Sequence, residues 1–325
     1  LMHVYAPGTS HRLEGRVSDQ PGNAGMNAPN GVIFDFLVKD KPKHASEEMD
    51  DEGTEGADSA DKNKSVQNAS GESTDALSII IYDSAKNTVK SFSTDSKESN
   101  EKLELTKGFN RFVWDMQYEK AKDFEGMIVW AGGVEGAKAI PGDYTAEFKL
   151  GELTQMVAFS IQKDPRMSTT QADFKAQLDF LLQANEKIGQ VTASIKEIRD
   201  YYAKIKQFTA ALDPEKENEK VLIDAGEALK LSLTIVEEAL YQTKNQSNQD
   251  PLNFPGRLLN SLMGVKSQVA VGDYPPTDQV LELSEEIYVK IDVQLEKLSE
   301  IQKTEVTAFN KLVARSQLPA LPIKE

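Results

Sequence analysis

Cysteine is absent from the 325 residues, and histidine occurs three times, at His3, His11 and His44. The first absence excludes disulfides, thiolate metal sites and cysteine nucleophiles. It is compatible with a reducing compartment and with a secreted chain that relies on its core. The second leaves the C-terminal half without an imidazole. That excludes the Glu-x-x-His di-iron arrangement of helical bundles and removes a histidine base for any serine in the regular segments. Positive charge is also scarce, 37 Lys and Arg against 52 Asp and Glu, a net charge of −15. Nucleic acid, anionic membrane surfaces and acidic partners all need a basic footprint, so each is excluded as an expected partner. No run approaches the ~18 apolar residues of a membrane helix. The opening Leu1-Met2-His3 is neither an initiator methionine nor a signal peptide, as expected of a piece of a longer or processed polypeptide.

The organising stretch runs from Gly108 to Pro165. Tyr144, Ala146, Phe148 and Leu150 alternate with Thr145, Glu147 and Lys149, and Val157, Phe159 and Ile161 repeat the alternation, the period of a half-buried strand. The link through Gly151 predicts a hairpin, and Pro141-Gly142-Asp143 is turn chemistry leading into it. Phe112 and Trp114 share one face of an earlier strand and read as core. Val32–Val38, Ala76–Tyr82, Thr88–Phe92 and a short Leu103–Leu105 complete about seven strands at the spacing of a β-sandwich.

Two segments break this pattern. The glycines and prolines between Pro7 and Gly31 predict an irregular lead-in over residues 1–31. Residues 44–75 hold ten acidic residues, two lysines and no aromatics, the composition of a disordered insertion in a sandwich spanning 32–165. Within it Asp61, Asn63, Ser65, Gln67 and Glu72 fall at calcium-loop positions, but Val66 stands where the loop needs glycine, so no metal is expected.

Beyond Asp164-Pro165 the period lengthens. Phe174, Leu178, Leu181, Ile188, Val191, Ile195, Ile198, Tyr202 and Ile205 recur at three and four, with gaps at Asn185 and Thr209. This predicts an amphipathic helix of roughly 40 residues. Further helices are expected over about 215–243, over a shorter span around Leu258–Val269, and from a Thr277 cap to about Gln317. The fold expected is therefore α+β and multidomain, an antiparallel β-sandwich followed over residues 166–325 by an up-and-down antiparallel bundle of three long helices and one short one.

No catalytic signature emerges. Asp115, Asp123, Glu125, Glu135 and Asp143 gather in the central block, and turn-forming or solvated acids are the plainer reading of them. Gly132-Gly133-Val134-Glu135-Gly136 lacks the lysine and helix of a phosphate loop. Trp130, Tyr118 and Phe124 are the candidate ligand-binding residues, a rim platform for a sugar ring or a docking domain. The competing reading has Trp130 fold back over the sheet edge. The amide-rich Asn245–Phe254 reads as a cap on helix ends.

The segments IIIYDSAKNTVKSF, GFNRFVWD and PGDYTAEF resemble the immunoglobulin-like domain of flagellar hook-capping proteins. More broadly, VWDMQY, MIVWAGG, IPGDYTAEF, KDPR, TTQADFKAQLDFLL and YQTKNQSNQDPLNFP, in this order, resemble the C-terminal region of bacterial BNR-repeat, sortilin-type propeller proteins, often labelled glycosyl hydrolases. The resemblance implies an immunoglobulin-like sandwich, no cofactor, an upstream β-propeller of the same polypeptide as partner, and an extracytoplasmic location. The function it implies is that of a non-catalytic accessory region. A carbohydrate-binding module using the loop aromatics, and a glycoside hydrolase in its own right, are the alternatives.

Overall fold

The computed structural model describes residues 1–13, 29–39 and 76–316. The insertion expected at 44–75, with its calcium-loop positions and His44, lies outside the described residues. The chain is α+β and divides into two compact units, residues 1–119 with 138–171, and residues 120–137 with 172–325. The connection 120–137, which the sequence assigns to the sandwich, thus belongs with the helices.

The first unit holds eight strands: β1 (Met2–Val4), β2 (Ser10–Arg12), β3 (Val32–Val38), β4 (Leu77–Asp83), β5 (Thr88–Ser93), β6 (Gly108–Trp114), β7 (Gly142–Leu150) and β8 (Leu153–Lys163). They form two sheets, ordered β1-β3-β6 and β2-β8-β7-β4-β5. All pairings are antiparallel except β2 with β8, which is parallel. The expected architecture is corrected in two places. The lead-in contains two short strands, and the five-stranded sheet is mixed. The cause is specific. Buried Arg12 donates to the Lys138 and Ala139 carbonyls and so ties the lead-in down, while Gln155 bonds both Val4 N–H and Val4 C=O. The Leu103–Leu105 strand is reduced to an isolated bridge between Ser93 and Lys102.

Alternation decides which faces meet. Tyr144, Ala146 and Phe148 of β7 are buried, as are Val157, Phe159 and Ile161 of β8 and Phe34 and Phe36 of β3. Phe34 lies 5.6 Å from Phe148 and 5.2 Å from Phe159, ring centre to ring centre, so aromatic edges and faces join the two sheets. Trp114 is fully buried against Tyr144 and Phe159, and half-buried Phe112 packs on Phe34 and Phe92. Gly151 takes φ +58° in the two-residue turn between β7 and β8, where a left-handed conformation is needed.

The second unit contains α1 (Gln171–Thr209, whose first residue closes the other unit), α2 (Glu217–Leu240), α3 (Leu258–Val269), α4 (Asp278–Ile301) and, past a π-helical turn over Gln302–Val306, α5 (Thr307–Arg315). The Thr277 hydroxyl accepts from Val280 N–H and caps α4, as its position predicts. Arg199 donates to Glu237 at 2.8 Å and the Tyr202 hydroxyl lies 3.0 Å from that of Thr234, so α2 runs antiparallel to α1. Gln177 donates to Val269 C=O, while Asn185 and Lys266 share the Glu135 carbonyl, which sets α3 antiparallel to α1 as well. Lys187 pairs with Asp292 and Phe208 with Phe309, so α4 and α5 run parallel to α1.

The alternating up-and-down order is therefore not what forms. Helices α2 and α3 run in one direction in succession, and α4 returns alongside α1. Length is the reason. At 1.5 Å per residue α1 spans ~58 Å, and α2 with α3 together span ~54 Å, so two shorter helices cover the one long one. No helix among the described residues is long and apolar enough to cross a membrane.

Phe34 and Trp114 each make two of the ring contacts between the sheets. Phe34→Ala is expected to cost about 3–5 kcal/mol of unfolding free energy, read by denaturant titration. At the end of β8, Arg166 holds the Asp164 carboxylate bidentately and through its own N–H, pulling the acid down to about 2. Its folded pKa is thus below its unfolded one, so this stabilisation is present above about pH 4 and lost as pH falls toward 2. Arg166→Ala is expected to be less stable than the parent at neutral pH, with the two acid-unfolding curves converging near pH 2.

Candidate functional site

A connection that leaves a sheet must find partners for its backbone groups elsewhere. The connection between β6 and β7 finds them on the helices. Thr192 of α1 donates to Lys122 C=O at 2.8 Å and Asn185 to Glu135 C=O at 3.2 Å. Lys266 of α3 donates to Gly133 C=O at 3.0 Å and to Glu135 C=O at 2.6 Å. Acceptors run the other way too, because Tyr241 takes Ile128 N–H at 2.8 Å and Asn260 takes Trp130 N–H at 2.7 Å. The connection is closed on itself by Ala121 N–H to Val134 C=O.

Its centre rests directly on helix backbone. A Cβ on Gly132 would stand 2.1 Å from the Met263 carbonyl oxygen, and Gly132 holds φ +74°, so only glycine fits. At one end, Phe124 packs edge-on to Tyr241, with the Arg199 guanidinium 4.5 Å above the Phe124 ring and bonded to buried Glu237. Cation–π attraction and the ion pair both hold that arginine.

The three aromatics singled out by sequence have separate fates. Tyr118 is buried in the first unit, and Phe124 is buried in the second under Arg199 and Tyr241. Trp130 is 57% exposed on a backbone pinned by Asn260 on one side and by Gly132 two residues on. Of the three, Trp130 alone presents its ring to solvent. The five acids are likewise distributed. Asp115 accepts Gln117 N–H in a turn, Asp123 pairs with Lys120, Glu125 is exposed, Glu135 lies against Gly133, and Asp143 is exposed at the start of β7. In the amide-rich segment, Asp250 accepts Gln246 and Ser247 N–H while Gln242 donates to Pro255 C=O. Among the described residues no group of three metal-ligating side chains converges.

Sequence reasoning missed Lys266, Thr192, Arg199 and Asn260. The one visible signal was the gap in the apolar stripe at Asn185, a buried polar position whose amide nitrogen donates to Glu135 C=O. Burial pulls the Lys266 ammonium down to about 8, with the Glu135 charge pulling the other way. Its two carbonyl acceptors are what make that burial tolerable.

Gly132→Ala is expected to cost roughly 1–3 kcal/mol and to expose the amides of 120–137 to hydrogen exchange while those of β7 stay protected. For Lys266 the unfolded chain binds more protons than the folded one between about pH 8 and 10.5, so stability rises with pH across that window. Measured against Lys266→Met by denaturant titration, the parent should gain relative stability as pH climbs through it. The chain matches no protein-family model, no curated protein and no solved structure.

Proposed function

We propose that this chain is a non-catalytic accessory region of an extracytoplasmic bacterial protein, an immunoglobulin-like sandwich and a helical region that present a contact surface to a β-propeller of the same polypeptide. One observation carries the reading. Thr192, Lys266, Tyr241 and Asn260 are bonded to carbonyls and amides of the connection 120–137, Asn185 donates to it through its amide nitrogen, and that construction leaves a single indole, Trp130, facing outward. Rigid backbone under an exposed tryptophan suits an anchor at an interface, where ring area is buried with little entropy to lose.

Two features support the immunoglobulin-like reading. The order β2-β8-β7-β4-β5 corresponds to a G-F-C-C′ sheet joined by a parallel first strand, and β3 beside β6 corresponds to B beside E. The Tyr144 hydroxyl donates to Ile140 C=O at 2.8 Å, four residues upstream near the start of β7, the position of a tyrosine corner. The engaged carboxylates speak for contact over catalysis, since Asp115 and Glu237 both hold structure.

A carbohydrate ligand is the second reading, favoured by the same exposed ring, because an indole face also stacks on the apolar face of a sugar. Trp130→Ala is expected to change stability by less than about 0.5 kcal/mol while abolishing whatever the parent binds. Titration calorimetry against a glycan panel and against a separately produced propeller decides between the two. Glycoside turnover by the parent, lost in Asp115→Asn or Asp143→Asn, would sink the non-catalytic reading.

A further inference from the structure

Asn30-Gly31 is the single Asn-Gly pair in the chain. Asn30 is exposed in the bend that leads into β3. The packing leaves no alternative to glycine after it. A Cβ at position 31 would stand 2.4 Å from the Trp114 carbonyl oxygen and 2.9 Å from Val113 Cγ1. The fold therefore forces, next to an exposed asparagine, the one residue whose main-chain nitrogen no side chain shields. Among the described residues neither the Asn30 side chain nor the Gly31 N–H takes part in a hydrogen bond.

We propose that Asn30 is a site of spontaneous covalent modification, deamidating through a cyclic imide to aspartate and isoaspartate. The deprotonated Gly31 nitrogen attacks Asn30 Cγ, the new N–Cγ bond forms, the Cγ–Nδ2 bond breaks, and Nδ2 leaves as ammonia. Water then opens the ring at either carbonyl. Opening at the main-chain carbonyl yields isoaspartate, in which the backbone runs through the side chain and is one methylene longer, and opening at Cγ yields aspartate. Solvent water is the only co-reactant, and no redox change occurs.

The position makes the isoaspartate product consequential. The extra methylene enters immediately before Gly31, which sits against Trp114, and Val32 opposite Trp114 is the first register pair of β3 with β6. The longer backbone therefore enters directly beside that close approach and the start of the β3–β6 ladder. Asn87 is the internal contrast. It is also exposed, but its Nδ2 donates to Asp83 Oδ2 at 3.0 Å, its N–H is held by Asp83 Oδ1, and β-branched Thr88 comes after it.

The test ages the full chain in mildly alkaline buffer, with peptide mapping by mass spectrometry and isoaspartate read by enzymatic carboxyl methylation. The expected result is progressive loss of the Asn30 amide, faster at higher pH, with the Asn87 peptide intact and a lowered melting temperature in the isoaspartate fraction. Asn30→Ser, an exposed substitution that removes the amide, should keep its melting temperature on ageing and take up no methyl label at that peptide. Conversion of Asn30 no faster than Asn87, or a rate independent of pH, overturns the proposal.

Discussion

Backbone carbonyls and amides that leave a sheet ladder need partners, and the connection between β6 and β7 finds them on the helices of the second unit. Lys266, Asn185 and Thr192 supply the donors from two helices, and Tyr241 and Asn260 supply acceptors for the amides. An aliphatic side chain in place of any of these would leave a backbone group of the connection without its side-chain partner. The identity of one short connection is thus written into polar positions on α1, α3 and the end of α2.

The sandwich meets a related constraint at its margins. An unpaired strand edge is a template for unwanted pairing. Here Gln155 closes the backbone of Val4, Glu119 and Leu103 cover β5, and Asp35 with Arg111 caps a cross-strand position with a bidentate ion pair. Between the sheets the task is the reverse, filling space with rings, and Phe34, Phe148, Phe159 and Trp114 do so at centre distances of 5.2 to 6.0 Å.

Much of the architecture was legible in the residues. Alternation at Tyr144–Leu150 and Val157–Ile161, the change of period after Pro165 and the Thr277 cap each correspond to an observed element, because period and capping are local properties. Helix direction was not legible. The loop from Tyr241 to Arg257 reads the same whether the chain reverses or continues, and continuation came from the length of α1. The site was legible only at Trp130 and at the interrupted stripe at Asn185. Lys266 gave no signal, since a lysine on a helix reads as solvated until a carbonyl is placed above it.

The amino-acid order by itself determined the long strands from Val32 onward and the helices beyond Pro165, and the scarcity of histidine and absence of cysteine that narrow the chemistry. Those outcomes depend on side-chain spacing and composition, which need no distant partner. Tertiary structure alone decided that 120–137 joins the helices, that β2 runs parallel to β8, and that Phe124 is covered while Trp130 is not. Each of these depends on polar groups and ring faces separated by tens of residues finding one another, and nothing local encodes that meeting.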